Sequence, residues 1–103
     1  MMKTIRERDV QRYFLERVKH LGGLTRKVHW EGRSNAPDRY VSFLQSAAPR
    51  HDAFTAFVEL KAPGKRPTPA QAREHKRMRA AGTQVFWVSS YDEVDQLLRR
   101  VFS

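Results

Sequence analysis

The chain has 103 residues, 40% of them apolar and 11% aromatic, with no cysteine. This is a globular composition, enough for one domain spanning residues 1–103 around a single core, and the lack of thiols excludes a disulfide framework and a thiolate zinc site. Twenty Lys and Arg against eleven Asp and Glu give a formal net charge of +9, which favours a polyanionic partner, phosphate backbones foremost. An anionic membrane is the rival partner, but the basic residues are spread along the chain rather than gathered on one amphipathic helix. The stretch from Met1 to Arg8 is charged at once and holds no apolar run resembling a signal peptide or a membrane span. The expectation is a cytoplasmic protein, in the host cytoplasm if phage-encoded, with no membrane partner.

Taken in order, the chain predicts a helix from Thr4 to about Leu21, because Val10, Tyr13, Phe14, Val18 and Leu21 recur at three- and four-residue spacing. Gly22-Gly23 stops it. Thr4 and Glu7 match a capping box. Glu7 also stands three residues before Val10 and seven before Phe14, so it leans inward, where an acid looks into a site, and the two roles are compatible. Leu24 to Trp30 alternates as a strand, with Leu24, Val28 and Trp30 on one side and Thr25, Lys27 and His29 on the other. Lys27 faces phosphate or solvent. His29 has no second histidine at ligand spacing and reads as exposed or hydrogen-bonded.

Glu31 to Pro37 is a loop by its Gly, Asn and Pro content. Asp38 follows at the start of a second strand, Arg39 to Leu44, and taken alone is a turn cap. A connection over 45–52 leads to a third strand, Ala53 to Lys61, and the short link favours an antiparallel hairpin. In that strand Glu59 and Lys61 share one face while Val58 and Leu60 take the other. Charge on a half-buried strand is costly unless paired or metal-bound. The hairpin brings Asp38, Glu59 and Lys61 to one edge of the sheet.

Ala62 to Pro67 breaks the strand and carries Lys65 and Arg66. Thr68 caps a helix with Pro69 in the first position and Gln71 at the capping-box spacing. That helix runs to Ala81, stops at Gly82 and is cationic through Arg73, Lys76, Arg77 and Arg79. Gln84 to Ser89 is a fourth strand with little polar character, predicting burial on both sides. A last helix opens at Ser90 and turns Val94, Leu97, Leu98, Val101 and Phe102 inward. The order is α-β-β-β-α-β-α. The unit of strand, helix and strand at its centre should be a right-handed parallel crossover, giving an α/β fold with a mixed four-stranded sheet flanked by helices.

Pro37-Asp38, a gap of twenty residues, then Glu59-Leu60-Lys61 resembles PD-(D/E)XK, the signature of restriction-endonuclease-like nucleases, and the αβββαβ order suits it. The longer set is similar to the VRR-NUC branch: Gly22-Gly23, Gly32-Arg33, Val58 to Lys65, Gln71 and Ala81-Gly82, in that order, within Glu7 to Leu97. The resemblance implies a metal-dependent phosphodiesterase in which Asp38, Glu59 and the Leu60 carbonyl bind Mg²⁺ or Mn²⁺, hard cations that prefer oxygen. It implies that Glu7 binds the metal directly or through water, that Lys61 orients or deprotonates the attacking water or stabilises charge, and that Gln71 supports the site. Loop residues 33–36 depart from the glycine-rich loop of relatives, which bears on substrate preference.

Small members of this family further imply a homodimer acting on branched DNA such as four-way (Holliday) junctions, with sequence-independent phosphate contacts from Lys27, Arg33, Lys65, Arg66, Arg73, Lys76 and Arg77. A solvated helix face is the plainer role for that cationic run. The alternatives are a non-catalytic nucleic-acid-binding module on the same fold, or an interaction protein whose basic face meets an acidic partner.

Overall fold

A computed structural model describes residues 4–44 and 53–101. The elements are α1 (Glu7–His20), β1 (Leu24–Lys27), β2 (Arg39–Phe43), β3 (Phe54–Leu60), α2 (Pro69–Ala80), β4 (Val85–Val88) and α3 (Tyr91–Val101). The expected connection over 45–52, and Phe102 of the last helix's predicted stripe, lie outside the described residues. The strands form one sheet in the order β1-β2-β3-β4. β1 pairs antiparallel with β2, β2 antiparallel with β3, and β3 parallel with β4. This is the mixed four-stranded sheet expected from the sequence.

Alternation along β2 and β3 divides the molecule into layers. Val41, Phe43, Ala56, Val58 and Leu60 project to one face, where they form the core with Val10, Phe14 and Val18 of α1 and Val94, Leu97, Leu98 and Val101 of α3. The α1 and α3 stripes are the 3.6-residue pattern of the sequence. Between these helices the Tyr13 hydroxyl donates to both carboxylate oxygens of Asp95, at 2.8 and 3.0 Å. That bond is the main reason the Tyr13 phenol titrates above its ordinary value.

Several boundaries differ from those predicted. α1 opens at Glu7, and the Asp9 carboxylate accepts from the Arg6 backbone N–H at 2.9 Å, so the box between Thr4 and Glu7 does not form. At its other end Gly22 adopts φ +82°, a conformation that favours glycine. A Cβ on Gly23 would stand 2.5 Å from the Phe43 ring, so the second glycine lets the core ring approach the turn. β1 ends at Lys27 rather than Trp30, and its Leu24 is 41% exposed. The register places Thr25, not Leu24, on the core face opposite Val41. β4 is a sheet edge, which leaves Phe86 and Trp87 half-buried instead of covered on both sides.

α2 covers the other face of the sheet. Its buried residues are Glu74 and His75, where a packing helix ordinarily presents an apolar stripe. A polar inward face on a helix laid over a sheet is unusual, because each such group needs a partner below it. Those partners define the site.

Candidate active site

Asp38 is fixed by the backbone on either side of it. Pro37 is almost fully buried, and its carbonyl accepts from the Trp30 indole N–H at 2.6 Å. The Asp38 carbonyl accepts from the Val28 N–H at 2.8 Å, so the β1–β2 ladder continues past the formal end of β1. Arg39 pairs with Val58; one residue further the same register sets Asp38 opposite Glu59. Directly opposed residues of an antiparallel pair project to the same face. The two carboxylates therefore stand side by side under α2. They lie at the ends of the two central strands, in the middle of the sheet and not at its edge.

Glu59 is buried, and its Oε1 has no hydrogen-bond partner. Burial is the first cause that raises its carboxyl from the ordinary 4.5 to about 7. The Lys61 ammonium opposes that rise, while the Asp38 and Glu7 carboxylates add to it. Three of the four groups singled out in the sequence thus act electrostatically on the fourth. Glu7 reaches this field from the first turn of α1, in the opposite layer, with an exposed side chain. Lys61 is half-buried, and its backbone N–H donates to the Val88 carbonyl at 2.9 Å, extending the parallel ladder.

A cleft of about 440 Å³ opens over the acids. Asp38, Glu59 and Gln71 line it, together with Lys27, His29, Trp30 and Arg33. Gln71 closes the capping box expected from the sequence and also lines the cleft. Its Oε1 accepts from the Thr68 N–H at 2.9 Å, closing the capping box with the Gln71 N–H donating to Thr68 Oγ1 at 3.1 Å. Its amide nitrogen is what it can offer the cleft.

The chain is similar in sequence to a phage protein described as "Putative nuclease p44", of Acyrthosiphon pisum secondary endosymbiont phage 1: 41% of residues are identical over 91, spanning 88% of this chain and 90% of p44. A solved structure described as a VRR_NUC domain superposes with a TM-score of 0.75 at 41% identity, over 93% of this chain and 97% of that one. The chain belongs to the VRR-NUC family. No family model matches the sequence itself.

Set within a VRR-NUC domain, the cationic residues divide into two groups. Lys65, Arg66, Arg73 and Lys76 are exposed, and Lys27 is exposed at the cleft. Arg33 and Arg77 are engaged with Glu74. The Glu74 Oε1 accepts from Arg33 at 3.3 Å and from Arg77 Nε and an Arg77 terminal nitrogen at 3.0 and 2.7 Å. Arg79, expected on the cationic face, donates its Nε–H to the Val85 carbonyl at 3.0 Å.

Sequence reasoning missed Glu74, His75 and Trp30. Glu74 ties the loop that presents Asp38 to α2 through Arg33. His75 is buried and places Nε2 3.6 Å from Glu59 Oε1. The available signal is their spacing: Gln71, Glu74 and His75 fall at i, i+3 and i+4, one helix face. In the sequence the flanking cations mask that face.

Proposed function

We propose that this nuclease is a Mg²⁺- or Mn²⁺-dependent DNA endonuclease whose working residues are Asp38, Glu59, Lys61, Glu7 and Gln71. One observation carries the reading: Asp38 and Glu59 face each other in register beneath a cleft, and Glu59 holds an unpartnered buried oxygen and a carboxyl raised to about 7. Two carboxylates held together without a cation repel, and a divalent ion relieves both that repulsion and the missing partner.

The donor set fits a hard ion. Among the described residues no three His, Asp or Glu side chains stand close enough to cage one. Mg²⁺ typically takes one or two carboxylates and keeps several waters or substrate oxygens. Asp38, Glu59 and the Leu60 carbonyl would hold it, with Glu7 acting through water. Bound there, the ion supplies charge stabilisation at the scissile phosphate and a more acidic water. Lys61 adds positive charge beside the same oxygens, where it orients or deprotonates the water or stabilises the developing charge.

The substrate in this reading is DNA, held through sequence-independent contacts by Lys27, Lys65, Arg66, Arg73 and Lys76, with Arg33 and Arg77 joining by exchanging Glu74 for phosphate. Preference for branched DNA and a twofold homodimer, which would cut two strands symmetrically, complete it; they rest on the family and on the charge of +9. The test is incubation of purified protein with four-way, forked, duplex and single-stranded DNA, with and without Mg²⁺ or Mn²⁺. Divalent-dependent products that vanish in Lys61→Ala, with DNA binding retained, support the reading. Cleavage retained by Lys61→Ala, or no product on any substrate, refutes it.

A further inference from the structure

His75 has no place in the chemistry above, yet no polar side chain of α2 is better enclosed. It is 1% exposed, and its Nε2 lies 3.6 Å from Glu59 Oε1. Both atoms are fully buried and both lack a hydrogen-bond partner. Two unpartnered polar atoms facing each other at this distance are too far apart for a hydrogen bond and too costly to leave so. A closure of well under 1 Å would join them.

We propose that His75 is a positioning residue for Glu59: its Nε2–H closes onto Oε1 and fixes the carboxylate so that the second oxygen is directed into the cleft. The inference rests on the divalent-cation reading of that cleft. A carboxylate that turns freely offers a cation a changing target, whereas one tethered at one oxygen is preorganised. Partners of this kind, behind the ligands themselves, commonly change metal affinity 10- to 100-fold.

The imidazole is suited to the task by its place, enclosed under α2 with Nε2 toward the acid. Burial first, then the Arg79 and Lys61 charges, lower its tendency to protonate. Its place on α2 follows from Gln71, one turn earlier on the same face. The helix thus brings one side chain to the cleft and the next to the acid behind it.

The test compares wild type with His75→Leu and His75→Gln, whose amide nitrogen reaches roughly where Nε2 stands. Mn²⁺ affinity of the DNA-free protein is measured by calorimetry, and the Mg²⁺ dependence of cleavage is followed in parallel. His75→Leu should weaken Mn²⁺ binding about 10- to 100-fold and raise the Mg²⁺ needed for half-maximal cleavage by a similar factor. His75→Gln should recover most of this.

If melting in EDTA shows that His75→Leu does not fold, His75→Asn replaces it, because its shorter amide withdraws the donor from Glu59; it should bind more weakly than His75→Gln. Equal metal affinity in wild type and His75→Leu overturns the inference while leaving the metal centre intact. So do equal losses in the variants with and without the donor, which would make the role one of shape. Nitrogen hyperfine coupling in the Mn²⁺ spectrum of wild type, absent from His75→Leu, would make His75 a ligand and also overturn it. Wild type that binds no Mn²⁺ removes the centre, and the inference with it.

Discussion

Glu59 should make the metal-free protein less stable as the pH rises, and Glu59→Gln should remove that dependence. In the unfolded chain the carboxyl titrates near 4.5; in the fold it is raised to about 7. Below pH 4.5 it is protonated in both states and burial of the neutral acid costs little. Between 4.5 and 7 the unfolded chain releases the proton and the folded chain keeps it, so stability falls as the pH climbs. Above 7 the full penalty of a buried charge is present. At about 1.4 kcal/mol per pH unit, a rise from 4.5 to about 7 corresponds to roughly 3 kcal/mol. The side chain is only 12% exposed, so solvent screening removes little of it.

Glutamine keeps the shape without the charge. Urea unfolding in EDTA, followed by the fluorescence of Trp30 and Trp87, should find Glu59→Gln close to wild type at pH 5. At pH 8.5 the variant should be more stable by about 2–3 kcal/mol, or on the order of 10 °C or more in melting temperature for a domain of this size. Titrations of carboxylates remote from Glu59 cancel in the comparison; those of Asp38 and Glu7 are part of the coupled effect. A gap that does not change with pH, or a variant less stable than wild type at pH 8.5, would refute the account of a desolvated acid crowded by Asp38 and Glu7.

Trp30→Phe keeps a ring against Phe57, 5.1 Å away between centroids, but leaves the buried Pro37 carbonyl without its donor. A loss of about 1–3 kcal/mol, measured by urea unfolding, should accompany reduced cleavage, because Asp38 follows Pro37 directly. Glu74→Gln removes the charge that Arg33 and Arg77 share; faster amide exchange over residues 31–37 and a stability loss of about 1–2 kcal/mol are expected. Unchanged exchange would show that the loop does not depend on this tether. Arg73→Ala with Lys76→Ala should lower the slope of log affinity for duplex DNA against log salt by about 2, roughly 0.9 for each phosphate no longer neutralised. An unchanged slope would mean that this face of α2 meets solvent alone.

The chain by itself determined the element order and the inward stripes of α1 and α3, because periodic apolar residues have one way to leave water. It also singled out Glu59 and Lys61 as candidates, since they are charges on a strand that is otherwise apolar. The capping box of Gln71 was legible from its spacing after Thr68. The register that opposes Asp38 to Glu59 was decided only in three dimensions: it depends on how β2 meets β3, and local preference carries no information about pairing partners. The same holds for His75 and Glu74. In sequence they sit within a run of cations; their burial exists only because α2 lies across the sheet at the height of Glu59. Whether a polar side chain is exposed or enclosed is a property of what packs over it, and that is set by distant parts of the chain.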